Sequence, residues 1–178
     1  MRLRTILVVE HMHIMKVMAA IEREISSIRQ TNKADVGFID TIVDFIRTYA
    51  DKTHHGKEED ILFRVLASKE MSDEDKAMMQ GLLDEHVFAR KTVAELVEAK
   101  EQYSQGRQDA ADMIVEKLDI LVRLYPKHIQ KEDDIFFPVS DTYLSEEEQS
   151  AMLEEGRAFD SRMPIDKYVQ IASELVNR

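Results

Sequence analysis

A stretch of ten residues occurs twice in this chain, and it constrains the rest more than any other feature. Residues 54–63 read HHGKEEDILF and residues 128–137 read HIQKEDDIFF. Aligned without a gap, His54 meets His128, Lys57 meets Lys131, Glu58 meets Glu132, Asp60 meets Asp134, Ile61 meets Ile135 and Phe63 meets Phe137. Each copy contains His-x-x-x-Glu, and residues four apart on a helix lie one turn above each other on one face. An imidazole and a carboxylate stacked that way can share one metal pair. The spacing alone is common: 6 His and 19 Glu in 178 residues give roughly 0.6 such pairs by chance. The shared KE-x-DI-x-F context is much harder to reach by accident.

The background composition is helical, with only 5 Gly and 3 Pro and with Glu, Lys, Leu, Ala and Met abundant. No series of short β-branched runs separated by turn residues appears, so the expectation is an all-α protein. A chain of 178 residues buries one ordinary core, with room for an appended piece. A net charge of −11 argues against nucleic acid, which needs a cationic face. Zero cysteines exclude disulfides and thiolate metal sites and fit a cytoplasmic protein. The apolar run Ile6 to Val9 is too short for a signal sequence, and no stretch reaches the ~18–20 apolar residues of a membrane span. No membrane partner is expected.

Four long helical patterns follow in order. The first, about Arg4 to Arg29, carries Leu7, His11, Ile14, Met18, Ile21 and Ile25 at three- and four-residue spacing. After a polar loop (Gln30 to Gly37), the second runs from about Phe38 to Ala67 with Ile39, Val43, Ile46, Ala50, His54, Glu58, Ile61 and Val65 as its inward stripe. His55 falls in line with Asp51, Thr48 and Asp44, so His54 is the inward candidate. Ser72 and Asp75 form a capping-box-like start for the third, whose stripe is Met79, Leu82, His86, Ala89, Val93 and Leu96. The fourth carries Ile114, Leu118, Leu121, Tyr125, His128, Glu132 and Ile135; Pro126 inside it should kink or restart the helix and so set the direction of His128. Met12, Met15, Met18, Met78 and Met79 read as core filler. His13, about 200° around the helix from His11, reads as a surface residue.

Short loops between long helices favour an up-down-up-down four-helix bundle over residues 1–140, with two short helices, beginning at Ser145 and after Pro164, appended in 141–178. The halves match: Glu10–His11 and Glu85–His86 are each followed by His-x-x-x-Glu, 43 and 42 residues later. A pseudo-twofold arrangement then brings His11, His54, Glu58, His86, His128 and Glu132 to one level, the geometry of a two-metal carboxylate site. Buried carboxylates are costly without cations. Imidazole plus carboxylate without thiolate suits iron, with zinc or manganese as substitutes. The expected roles are two histidines on each metal and Glu58 and Glu132 bridging. His55 is an outer neighbour or an extra ligand, and Tyr125 stands one turn before His128.

In these residues the chain resembles the hemerythrin-like, or HHE cation-binding, domain over roughly residues 5–140. The resemblance implies a non-haem di-iron site and roles in oxygen carriage or sensing, iron handling, and protection or repair under oxidative and nitrosative stress. Oxygen-carrying members have another histidine one turn after the third-helix one, where this chain has Arg90. They also use an Asp five residues after the last His; Asp133 sits there, although the internal repeat pairs Glu132 with Glu58. Arg90 is expected to reach solvent, or else to pair with a bridging carboxylate or a bound anion. Three functions are compatible with this set: binding, sensing or processing of a small oxidant (dioxygen, peroxide or nitric oxide), donation of iron to a protein client or repair of its iron centre, and a metal-stapled structural or regulatory bundle.

Overall fold

The computed structural model describes residues 1–107 and 109–176. The described residues form six helical rods joined by short connections. Helix α1 is Leu3–Thr31. Rod α2 covers residues 36–66: α-helical over Val36–Phe45, π-helical over Ile46–His55 and Glu58–Phe63, and closed by Arg64–Leu66. Helix α3 is Asp73–Ser104. Rod α4 covers residues 110–140, as Ala110–Lys131, a π segment Glu132–Phe136 and Phe137–Ser140. Helices α5 (Glu146–Asp160) and α6 (Ile165–Val176) follow. The first four make the up-down-up-down bundle, each rod packed against the next and α4 returning to α1.

The ends are set by ordinary cap chemistry. Helix α1 stops at Asn32, which turns into the left-handed region (φ 53°) and returns its N–H to Ile28. The Asp35 side chain accepts from the Phe38 N–H at 2.9 Å to start α2, and Ser72 accepts from Asp75 at 3.1 Å to start α3. A full capping box between Ser145 and Glu148 starts α5.

Two apolar clusters fill the bundle. One contains Ile14, Ile21, Ile39, Ile42, Leu96, Ile114 and Leu118, and the other Leu3, Leu7, Ile61, Leu66, Leu82, Phe136 and Phe137. Along α1 the sequence passes from Leu7 in the second cluster to Ile14 in the first, with buried Glu10 and His11 between. Rod α2 passes from Ala50 to Ile61 with buried His54, His55, Lys57 and Glu58 between. A polar layer is therefore held between two dry ones.

The π segments fall at this layer. In a π turn the backbone N–H reaches back five residues, as Gly56 does to Asp51, and the Thr53 hydroxyl likewise bonds the Thr48 carbonyl at 2.7 Å. The extra residue per turn brings both His54 and His55 inside, which a regular 3.6-residue reading forbids. The same widening after Glu132 buries Phe136 and Phe137 and leaves Ile135, expected inside, 47% exposed. Helix α4 runs through Pro126 to Lys131, so the proline does not restart it. Met12 and Met15 lie on the outer face of α1 and are exposed, unlike Met18. His13 is half-buried edge-on against the Tyr49 ring. Helix α6 packs on α1, and α5 packs on α1 and on Glu58–Phe63. Among the described residues no helix is long and apolar enough to cross a membrane.

Candidate metal centre

Seven side chains converge in the polar layer. His55, Glu58, His86 and His128 form one nest of donor atoms within 4.8 Å of one another, and His11, His54, Glu58 and Glu132 form a second. All seven residues are buried, and Glu58 belongs to both nests. The sequence-derived residues His11, His54, Glu58, His86, His128 and Glu132 all stand here. His55 joins them, with its ring stacked on His86 at 3.7 Å between centroids and 12° between planes. The two carboxylates reach across: Glu132 lies 3.2 Å from Nε2 of both His11 and His128, and Glu58 lies 3.4 Å from His54 Nε2 and 3.5 Å from His86 Nε2.

Every one of the five imidazoles is held from behind through Nδ1. Glu10 of α1 takes His54 of α2 (2.9 Å), Glu59 of α2 takes His86 of α3 (2.7 Å), Glu85 of α3 takes His128 of α4 (2.8 Å), and Asp133 of α4 takes His11 of α1 (2.9 Å). These four bonds run once around the bundle and close on themselves. The fifth, Asp51 to His55 at 3.3 Å, stays within α2. A carboxylate that accepts at Nδ1 fixes the proton there and leaves the Nε2 lone pair facing inward, the way a metal-ligating imidazole is prepared. Asp133 is thus the group that orients His11, and Glu132 is the inward carboxylate.

The repeat now reads as machinery. In each copy the first residue is an inward histidine and the Glu four residues on reaches across the layer. The next acidic residue (Glu59 or Asp133) orients the lone histidine of the adjoining helix, and the Phe stacks on that same ring: Phe63 on His86 at 6.2 Å and Phe137 on His11 at 5.8 Å. Lys57 and Lys131 clamp Glu10 and Glu85, the acids that orient His54 and His128. Asp60 and Asp134 are exposed.

Whether cations fit is decided by the donor atoms themselves. Among the described residues, both oxygens of Glu58, both oxygens of Glu132, and Nε2 of His11 and His54 have no hydrogen-bond partner despite full burial. They are close to one another yet out of hydrogen-bond alignment, as groups aimed at a common point are. His86 and His128 present their Nε2 atoms to each other at 3.1 Å while both Nδ1 protons face carboxylates. Two lone pairs so placed repel unless a positive charge lies beside them. Unsatisfied buried groups of this kind cost on the order of 1–3 kcal/mol each, more when charged. Divalent cations fit this donor set.

Without a cation, protons carry the balance. Burial, and then the charge of Glu132, drive Glu58 far above the usual carboxylate range. Burial works the same way on Glu132, but His11 and His128 overcome it and hold it low. Burial also opposes protonation of His128, yet Glu132 and Glu85 lift it to about 9; His11 is raised through Asp133 and Glu132. Burial takes His54 well below its ordinary value, with the charge of His11 adding, and takes His55 down to about 3. Glu10 is pushed up to about 7 by burial against the pull of Lys57.

Arg90 occupies the position one turn after His86. Its Nε donates to Asp51 at 2.8 Å and its Nη2 to Glu59 at 2.6 Å, so it joins the acids behind His55 and His86 and makes no bond to Glu58 or Glu132. Tyr125 lies parallel to His55 (6.3 Å, 9°) with a buried hydroxyl that has no partner among the described residues. Beside it a cavity of ≈100 Å³ is bordered by His55, Tyr125, Asp51, Arg47 and Arg90.

A four-helix bundle with two buried histidine–carboxylate nests defines a cation-binding protein. Residues 2–140 match the family model described as the hemerythrin HHE cation binding domain, and the chain belongs to that family. Comparison with curated proteins and with solved structures gives no match.

Proposed function

We propose that this chain holds two iron ions, one in each nest, and that its task is to bind, sense or process a small oxidant. His55, His86 and His128 would hold one ion, His11 and His54 the other, with Glu58 and Glu132 shared. The observation that carries this reading is the set of buried, unpartnered donor atoms of His11, His54, Glu58 and Glu132. An imidazole and carboxylate set without sulfur favours iron among the common divalent ions. With both carboxylates shared, one ion would have five protein donors and the other four, short of the six of an octahedral ion, which leaves room for an outside ligand. Iron in such a setting supplies redox chemistry at exchangeable positions.

The residues around the nests set what that ligand can be. The cavity at His55, ≈100 Å³, has room for a diatomic or peroxide-sized molecule. The unpartnered Tyr125 hydroxyl gives such a molecule a hydrogen-bond donor beside the charged groups of Arg47, Asp51 and Arg90. Phe63 and Phe137 keep bulk water off the two lone histidines.

Metal analysis of protein purified without a chelating tag should return about two irons per chain, one for each nest. The ferrous protein, mixed rapidly with dioxygen, peroxide or nitric oxide, should develop a new absorption band with at least one of them. Protein that cannot be loaded with iron, or loaded protein that is spectrally inert to all three, would overturn the reading.

A further inference from the structure

The two copies of the repeat do not have the same surroundings. The Lys57 side chain is fully buried, whereas Lys131 is 38% exposed. Ile61 is 1% exposed, whereas Ile135 is 47% exposed. Helix α5, which begins beyond the family-matched region, packs on the first copy along Glu58–Phe63, and its last residue reaches Lys57. Its contact is close: a Cβ built on Gly56, between His55 and Lys57, would meet the Phe159 ring at 3.0 Å. From α5, Asp160 takes a hydrogen bond from Lys57, which also bonds Glu10. Glu10 in turn accepts from His54. A chain of charge thus runs Asp160–Lys57–Glu10–His54, from a helix outside the matched domain to an imidazole of one nest.

We propose that Lys57 and Asp160 are positioning residues through which α5 sets the orientation and donor strength of His54, making two sequence-equivalent halves of the centre inequivalent. The inference rests on the two-cation reading above. A fully buried ammonium needs its charge matched. Asp160 and Glu10 share that work, which lets Glu10 keep its other oxygen for His54. Without Asp160, Lys57 draws on Glu10 alone, and the hold on His54 loosens. On the other side, Lys131 is 38% exposed and bonds Glu85, which holds His128.

Cobalt(II) titration of the full metal-free chain tests this, read by absorption and by the paramagnetically shifted ring N–H protons in NMR. The wild type should take two cobalts and show an N–H signal for each of the five imidazoles. Asp160→Asn, at a residue partly open to solvent, should still take two but weaken one binding step by about tenfold, with faster exchange of the His54 N–H alone. Lys57→Met should do the same more strongly, and Lys131→Met should disturb the His128 N–H instead. Unchanged affinities and an unchanged His54 signal in Asp160→Asn would overturn the proposal. So would equal changes at all five rings, the mark of a merely loosened bundle. A wild type that takes fewer than two cobalts would overturn the two-cation reading, and this inference with it.

Discussion

His55 and His86 lie face to face, 3.7 Å between ring centroids, and both rings have their outer nitrogens tied to acids that Arg90 joins. His55 is therefore oriented from behind as the four repeat-related histidines are, through a longer bond of 3.3 Å. If it is a ligand, His55→Ala should weaken one cation-binding step by at least the ~10–100-fold that loss of an orienting group causes, and leave the other step near its wild-type value. Stepwise metal titration gives the answer; equal weakening of both steps would mean that the ring serves only to fill space.

Arg90 makes its bonds at the rim, with 40% of its side chain exposed. Solvent screens such pairs, so Arg90→Gln should cost only about 0.5–1 kcal/mol in stability. Asp51, held near 2 by His55 and Arg90 against the effect of burial, would lose part of that support. Thermal unfolding and metal content together check this: a small fall in Tm at unchanged stoichiometry is expected, and a loss of bound metal would assign Arg90 a direct role.

The four rods and six of the seven inward side chains were legible because they obey helical periodicity and because the repeat states them twice. His55 was not. On a regular helix it shares a face with Asp51, Thr48 and Asp44, and it turns inward only because residues 46–55 are wound as a π-helix. Nothing in residue type marks that winding, although two adjacent buried histidines require it. Ile135 was misplaced for the same reason. The ring of orienting acids was half visible: Glu10 and Glu85 stood out beside the lone histidines, but their bonds go to a neighbouring helix, a relation that only packing reveals. The asymmetry between Lys57 and Lys131 depends on α5, which lies outside the repeat and leaves no trace in it.

Glu58 separates the needs of the metal-free and the loaded chain. In the metal-free chain its carboxyl is buried beside Glu132 and pushed strongly toward the protonated form. Glu58→Gln removes that conflict at nearly constant shape, so the metal-free variant should melt at or above the metal-free wild type. The loaded chain should behave oppositely. A cation present at 100 times its Kd stabilises by about 2.7 kcal/mol per site, or roughly 5–10 °C in a chain of this size, and most of that gain should vanish in Glu58→Gln. Calorimetry with and without metal reads both signs, and a variant destabilised equally in the two states would contradict the shared-ligand role.

Protons and cations compete for the same atoms, which gives metal binding a pH dependence of definite sign. His128 is raised to about 9 and His11 is raised above its ordinary value, so below those values the metal-free chain holds protons that a cation must displace. Apparent affinity should therefore weaken as pH falls, by about tenfold per unit for each proton displaced. For the metal-free fold the dependence runs the other way. A histidine raised on folding contributes stability that is complete below about 6.5, its unfolded value, and is lost as pH rises through about 9. The metal-induced rise in Tm should accordingly be small near pH 6 and large near pH 8.5. A rise independent of pH would show that the cations sit away from His11 and His128.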